Sequence, residues 1–233
     1  TQKRLSPLRP AFGVYLVLGA VEDFRIDIDR AHELFNVLED VVDHPFFDDS
    51  ERLGLSVVLA EASFEFAFSV RLLCVSGQLL GASACLRSQL EALVRSVWAY
   101  HCATDHQISR LSKNDLSIET QQQAKNIPQA TGMLEDLEKL PNLLGFTAAI
   151  REFKDCSWLP LNSFVHSGIH AVHRTKYGAP PPLIASTFKI SNGFSFLAYN
   201  HLGILTGVPG IQKELLSATA SFSSVLPDIK VGT

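Results

Sequence analysis

The stretch CLRSQLEALVRSVWAYHCA, residues 85–103, decides the fold. It contains neither proline nor glycine, and its apolar side chains repeat at helical spacing, at Leu86, Leu90, Leu93, Val97 and Tyr100. It predicts the larger part of a long helix over residues 79–103. A second long helix is predicted over 51–75, apolar nearly all round and therefore central, with Gly77 in the turn between them. Two long helices joined by a short turn are typical of antiparallel neighbours in a helical bundle.

Outward from this pair, further apolar periodicities predict more helices and no strands. The polar segment 104–127 is predicted to be helix plus loop, and the proline-rich YGAPPPLI at 177–184 is predicted to be a loop. The remaining helices are predicted at 27–43, 128–140, 142–155, 157–173, 191–207 and 210–225. The sequence thus predicts an all-α fold, a helical bundle core of long antiparallel helices with additional C-terminal helices. We expect a single domain over 1–233, which divides into an N-terminal arm (1–24), a core (50–175) and a C-terminal helical pair (188–227).

Composition narrows the functional classes. Apolar residues make up 46% of the chain and charged residues 19%, which indicates a globular protein. The net charge of −4 gives no overall positive field for nucleic acid, so such binding would need a local basic patch. Four widely spaced cysteines without a C-x-x-C pair indicate a reducing compartment, and we expect a cytoplasmic protein. The apolar stretches are short or interrupted by charges, so no membrane partner is expected.

One face of the helix at 79–103 carries an unusual polar stripe. Arg87, Glu91, Arg95 and Trp98 follow one another at spacings of four, four and three, which places them on the same side. Two interpretations remain open. The stripe is either a structural ion-pair brace, or a phosphate site in which Glu91 orients the planar guanidinium groups.

A second polar stripe lies in NSFVHSGIHAVHR, residues 162–174. On one continuous helix, Asn162, His166, His170 and His173 would share a face. His166 and His170 are spaced to share a metal ion, but the motif lacks further ligands, so neither a metal nor a cofactor is expected. An acid–base or phosphate-binding role for His166 beside Asn162 is the second interpretation, and solvated or core histidines are the third. We further hypothesise that Arg87 or Arg95 reaches the Asn162/His166 face from the neighbouring helix.

The two stripes together resemble a known group. The segment LRSQLEALVRSVWAYHCA, a polar insert, W-x3-N-S-F-V-H-S-G and a following HR are similar to a bacterial family placed near the HEPN-type α-helical proteins, over roughly residues 50–175. The resemblance implies a HEPN-like bundle core and a homodimer. It also implies metal-independent ribonuclease activity of the kind found in toxin and anti-phage systems. The Arg-x4–6-His signature of those nucleases is matched by Arg95 and His101, with Ser96 after the arginine.

Two functions follow as expectations. In the first, the protein is a ribonuclease or toxin-type effector of bacterial stress or phage defence, with His166, Arg95 and Asn162 catalytic and Arg87, Glu91, His101 and His170 binding phosphate or ligand. In the second, it is a non-catalytic helical module for a nucleotide or a protein. The partners expected are RNA or a nucleotide, a second copy of the chain, and a partner protein or antitoxin.

Overall fold

The computed structural model describes residues 18–227 except Asn114 and Leu116, and side chains from Ile28 onward except those at positions 123 and 124. This part of the chain is helical and contains no strand, so the all-α prediction is confirmed. Short 3-10 turns lie at Pro141–Leu143 and Ser223–Val225. The helices are α1 (Leu18–Val42), α2 (Glu51–Val75), α3 (Leu79–His101), α4 (Asp105–Leu111), α5 (Ile118–Ala124), α6 (Ala130–Leu137), α7 (Leu144–Val165), α8 (Ile169–Tyr177), α9 (Pro181–Thr206) and α10 (Ile211–Thr219).

Helices α2 and α3 form the predicted antiparallel pair. The turn between them places Gly77 at a φ of 68°, a backbone conformation that favours glycine. Small residues on the inner side of α2 allow the two backbones to approach closely, and they are Ser56, Ala60, Ser63 and Ala67. The Ser56 hydroxyl donates to the carbonyl of Ser96 at 2.9 Å, and the Ser96 hydroxyl donates back to the carbonyl of Ser56 at 2.7 Å. These reciprocal bonds fix the register of the pair.

Helix α3 is the centre of the bundle. Four of the five residues of its predicted apolar stripe are buried, Leu86, Leu90, Leu93 and Val97, each at most 3% exposed, and the fifth, Tyr100, is partly buried. Helices α2, α6, α7 and α9 all pack against it, and α1 lies farther out against α9 and α10. Buried polar groups join α3 to α9, since the side-chain amide of Gln89 donates to the Ser191 carbonyl at 2.9 Å.

Helix α2 is less buried than predicted for a central helix that is apolar nearly all round. Its outer side is open to solvent, and Val58, Phe68 and Leu72 are 58%, 57% and 53% exposed. The small residues on the opposite side decide the orientation, because only that side can approach α3 closely. Among the described helices, α2 alone is long and apolar enough to cross a membrane, which is weak evidence by itself. One third of its most apolar window, 33%, is buried inside the protein.

The helices predicted at 142–155 and 157–173 are wrongly divided. Helix α7 runs without interruption through Leu144–Val165 and includes Pro160. The chain breaks later, where Ser167 has a φ of 55° and Gly168 begins α8. The Ser163 hydroxyl caps this break by accepting a hydrogen bond from the backbone N–H of His170 at 2.9 Å. A Cβ at position 168 would lie 2.6 Å from that hydroxyl, so only glycine fits there.

Two further boundaries differ from the prediction. Helix α9 begins at Pro181, inside the segment predicted as a loop, because proline in the first helical turn lacks an N–H that the helix would not use. The C-terminal helical pair thus starts before residue 188. Helix α1 begins at Leu18, so residues 18–24 belong to it and not to the predicted arm. The rest of the arm, residues 1–17, lies outside the described residues.

Candidate functional site

Arg87 is the junction between α3 and α7. Its Nε donates to Oε1 of Glu91 at 2.9 Å, and its Nη1 donates to Oδ1 of Asn162. The side chain is 22% exposed, so the guanidinium lies at the rim of the helix interface and not in the open. The hypothesis that an arginine of α3 reaches the Asn162 face is therefore realised for Arg87. A carboxylate and an amide together hold the planar group in one orientation.

Trp158 completes the surroundings of this arginine. The guanidinium carbon of Arg87 lies 4.9 Å from the centroid of the Trp158 ring, and Nζ of Lys154 lies 5.7 Å from the same centroid. Two cations thus share one indole, an arrangement that favours both through the negative face of the ring. We name Arg87, Glu91, Trp158 and Asn162 the Arg87 cluster.

The three histidines of the 162–174 segment do not share a helix face. His166 is the C-cap residue directly after α7, whereas His170 and His173 belong to α8 beyond the break at Ser167. All three side chains are exposed. His166 still lies one turn after Asn162, since its N–H donates to the Asn162 carbonyl at 3.0 Å. The structure thus brings His166 near the Arg87 cluster along the chain and separates it from His170 and His173 by a change of helix.

The other two predicted residues of α3 have different surroundings. Arg95 is partly buried, and its Nε is buried without a hydrogen-bond partner. His101 lies near the end of α3, where its ring centroid is 6.0 Å from that of His201 on α9. Its Nε2 is likewise buried without a partner. Of the ion-pair brace that was one interpretation of this stripe, the structure shows the pair of Glu91 with Arg87.

A buried polar cluster around His201 was not predicted. Nε2 of His201 lies 2.8 Å from the Ser56 hydroxyl, which joins α9 to α2 and through Ser96 to α3. The cluster consists of Ser56 on α2, Ser96 and His101 on α3, and His201 on α9. The Arg-x5-His signature had drawn attention to Ser96 and His101, but no motif contains Ser56 or His201.

Burial controls the charge of this cluster. It lowers the pKa of His201 to about 3, with a further lowering by His101, and it also lowers the pKa of His101. Both rings are accordingly neutral in the folded protein at neutral pH. The Ser56 hydroxyl and His201 have the spacing of a nucleophile and base, but Ser56 is 0% exposed and no substrate can reach it. The cluster joins three helices and has no access for chemistry.

The geometry also bears on metal binding and cavities. Within the described part of the chain, no three His, Cys, Asp or Glu side chains are grouped so that they could hold a metal ion. A groove of about 310 Å³ lies between α3 and α8, lined by Leu80, Ser167, Ala171, Val172, Thr175 and Lys176. A smaller cavity of about 10 Å³ lies beside Trp158. Neither concavity is lined by Arg87, Arg95 or His166.

Comparison with known proteins gives one match. No curated protein and no solved structure is significantly similar to the chain. Residues 60–228 match a family of unknown function, DUF6988, and this range includes the Arg87 cluster, the His201 side of the core and all of α8. Because the match covers well over half of the sequence, the chain belongs to the DUF6988 family.

Proposed function

We propose that the protein is a non-catalytic helical module that binds a partner, the second of the two functions expected from the sequence. The observation that carries this proposal is the exposed surface of α8, where Ile169, Val172 and Tyr177 are 78%, 60% and 65% exposed. Large apolar side chains grouped on one short helix are typical of a binding surface. The Arg87 cluster has a structural part in this proposal, since it fixes the helix that precedes α8.

The contacts of Arg87 weigh against a catalytic arrangement. Asn162 accepts its hydrogen bond from Arg87, and Glu91 occupies the Nε side of the same guanidinium. A nuclease would need these groups directed at a phosphate, with a general base within hydrogen-bond reach of the ribose hydroxyl. Among the described side chains, Arg95 makes no contact with His166, so the two do not form such an arrangement. The interactions of the cluster are satisfied within the protein.

A metal-independent ribonuclease of stress or phage defence stays the second candidate. One observation favours it: Arg87 and His166 are both hydrogen-bonded to Asn162. The guanidinium of Arg87 donates to the Asn162 side chain, and the backbone N–H of His166 donates to the Asn162 carbonyl. The relationship to HEPN proteins remains a prediction of the sequence. A homodimer, a partner protein or antitoxin, and a cytoplasmic location are proposals of the same standing.

The experiment that separates the two candidates is a cleavage assay on a mixed RNA pool, with and without EDTA. Wild type is compared with Arg95→Ala and His166→Ala, and His106→Ala is the matched control because it removes an exposed histidine elsewhere. If the protein is a non-catalytic binding module, none of the four proteins should cleave the RNA. EDTA-resistant cleavage that His106→Ala retains and both other variants lose would overturn the proposal in favour of the nuclease.

A further inference from the structure

We propose that α8 attaches the protein to the surface of an anionic lipid bilayer. This inference rests on the proposed function and names the partner of its binding surface. The surface consists of Ile169, Val172, His173, Lys176 and Tyr177, and we call it the outer α8 face. Attachment of this kind needs no membrane-spanning helix, but it departs from the expectation of no membrane partner, which rested on apolar stretches too short or too interrupted to span a bilayer.

Helix α8 directs its large apolar side chains outward, the reverse of an ordinary surface helix. Ala171 is 4% exposed and Arg174 is partly buried, and these two residues mark the side that packs on the protein. Steps of about 100° per residue place Ile169, Val172 and Lys176 on the opposite side. An ordinary surface helix directs its apolar stripe inward. The large apolar side chains of α8, Ile169, Val172 and Tyr177, therefore lie outside the core and are available for another surface.

The charged residues of α8 and of the chain on either side of it, within residues 156–213, are all basic. Residues 156–213 contain no aspartate or glutamate, although the whole chain has a net charge of −4. Arg174 and Lys176 lie in the last turn of α8, and Nζ of Lys176 lies 4.9 Å from the ring centroid of Tyr177. The ring of His173 contacts the same tyrosine, with centroids 4.7 Å apart. The large apolar side chains of α8 are thus flanked by cations, and neither α8, α9 nor the part of α7 after Asp155 contains an acidic residue.

This combination selects a bilayer among the polyanionic surfaces. RNA would engage the cations and stack on Tyr177, but the aliphatic Ile169 and Val172 at the centre of the face would gain nothing from phosphate. A second copy of the face would set Lys176 against the same cations. The bilayer interface accepts all three kinds of group, because acyl chains take aliphatic side chains, tyrosine favours the headgroup level, and anionic headgroups attract lysine.

The neighbouring surface extends the apolar area. Leu80 of α3 lines the groove beside α8 together with Val172 and Lys176. Helix α2 ends five residues earlier, at Val75, so its exposed Leu72 and Val75 lie at the same end of the molecule. An attachment that uses one short helix and a few flanking side chains should be reversible and sensitive to salt.

The test is co-sedimentation of the full chain with vesicles. Equimolar phosphatidylglycerol and phosphatidylcholine is compared with pure phosphatidylcholine, at low and high salt. We expect binding to the anionic vesicles, little binding to the neutral ones, and release by salt. The double variant Ile169→Ser/Val172→Ser should lower the bound-to-free ratio by at least about tenfold, since two aliphatic side chains lose their burial. Lys176→Glu should also lower it.

The control is Leu216→Ser, which removes an equally exposed apolar side chain, 59% exposed, from α10. It should bind as wild type does, and thermal unfolding should show that all variants are folded. Absence of wild-type binding to anionic vesicles, equal binding to neutral vesicles, or equal binding by the double variant would each overturn the inference. None of these outcomes contradicts the proposed function, because that function is tested by the RNA assay, which does not use lipid.

Discussion

The guanidinium of Arg87 donates a hydrogen bond to the side chain of Asn162, 75 positions later in the sequence. This contact joins the central helix α3 to the last turn of α7, directly before the chain turns into α8. This polar interaction of the predicted site therefore also joins two helices, and it lies close to the start of α8 along the chain.

Arg87→Ala should destabilise the protein by about 2 kcal/mol, because it removes a charged hydrogen bond and the contact with Trp158. Asn162→Ala should cost about 1 kcal/mol, and the double variant should cost less than the sum of the two by about 1 kcal/mol. Urea unfolding measures all three values. Lys213→Ala, an exposed cation on α10, is the control and should leave the midpoint unchanged. Additive single effects would show that the bond contributes no stability.

Stability should fall with acidification because of the buried histidines. The folded pKa of His201 is lowered to about 3, below its usual value of about 6.5 in an unfolded chain. Below that usual value the unfolded chain binds a proton that the folded protein does not, so unfolding gains up to about 1.4 kcal/mol per pH unit. Urea unfolding between neutral and acidic pH measures this slope. His201→Gln should reduce it and the exposed-site control His106→Gln should not, whereas an unchanged slope in His201→Gln would contradict the assignment.

Ser167→Gly should stabilise the protein by about 1 kcal/mol. Ser167 has a φ of 55°. This conformation costs a residue with a Cβ about 1–2 kcal/mol and costs glycine almost nothing. The greater freedom of glycine in the unfolded chain offsets part of the gain. Thermal unfolding should show a higher midpoint. Gly168→Ala is the matched comparison and should lower it, because the new Cβ would meet the Ser163 hydroxyl. A lower midpoint for Ser167→Gly would mean that the serine makes a compensating contact.

Gly54→Ala should stabilise the protein by about 0.5–1 kcal/mol. Position 54 lies within α2 with nothing within 4 Å of a new Cβ, and alanine reduces the freedom of the unfolded chain. Gly203→Ala on α9 should have the opposite sign, since its Cβ would lie 3.1 Å from a Leu215 methyl in the core. Urea unfolding of both variants tests the pair. Destabilisation by Gly54→Ala would show that this side of α2 is covered.

The sequence predicted the bundle better than the candidate site. The stripe from Leu86 to Val97 could be identified because burial in a helix leaves a direct mark on residue spacing. The break after His166 leaves no such mark. Asn162, His166, His170 and His173 keep helical spacing across it, and a serine adopts the positive φ where glycine would have given a signal. The cap from Ser163 to His170 is a side-chain contact that no periodicity reports.

The two arginines of the stripe illustrate the same limit. Arg87 and Arg95 both lie four residues from Glu91, so the sequence made them equally good candidates for pairing with it. In the structure Arg87 has Glu91 and Asn162 as partners, and Arg95 has neither. The neighbouring helix decides between them, because α7 brings Asn162 to one of them. The helix boundary predicted between residues 155 and 157 is absent, because α7 continues through Pro160 while it packs against α3. His201 could not be identified, since its partners come from two other helices.

The uneven distribution of charge along the chain has a consequence for how the molecule approaches other bodies. Thirteen of the 24 acidic residues lie between Glu22 and Glu65, whereas residues 156–213 have none. Asp48, Asp49 and Glu51 stand at the start of α2, roughly 36 Å of helix from its far end beside α8. The acidic start of α2 and the acid-free α8 thus lie at opposite ends of that helix. A negatively charged surface would repel the first end more than the second, which favours an approach with α8 forward. In about 0.1 M salt this alignment is confined to the last 10 Å or so of the approach.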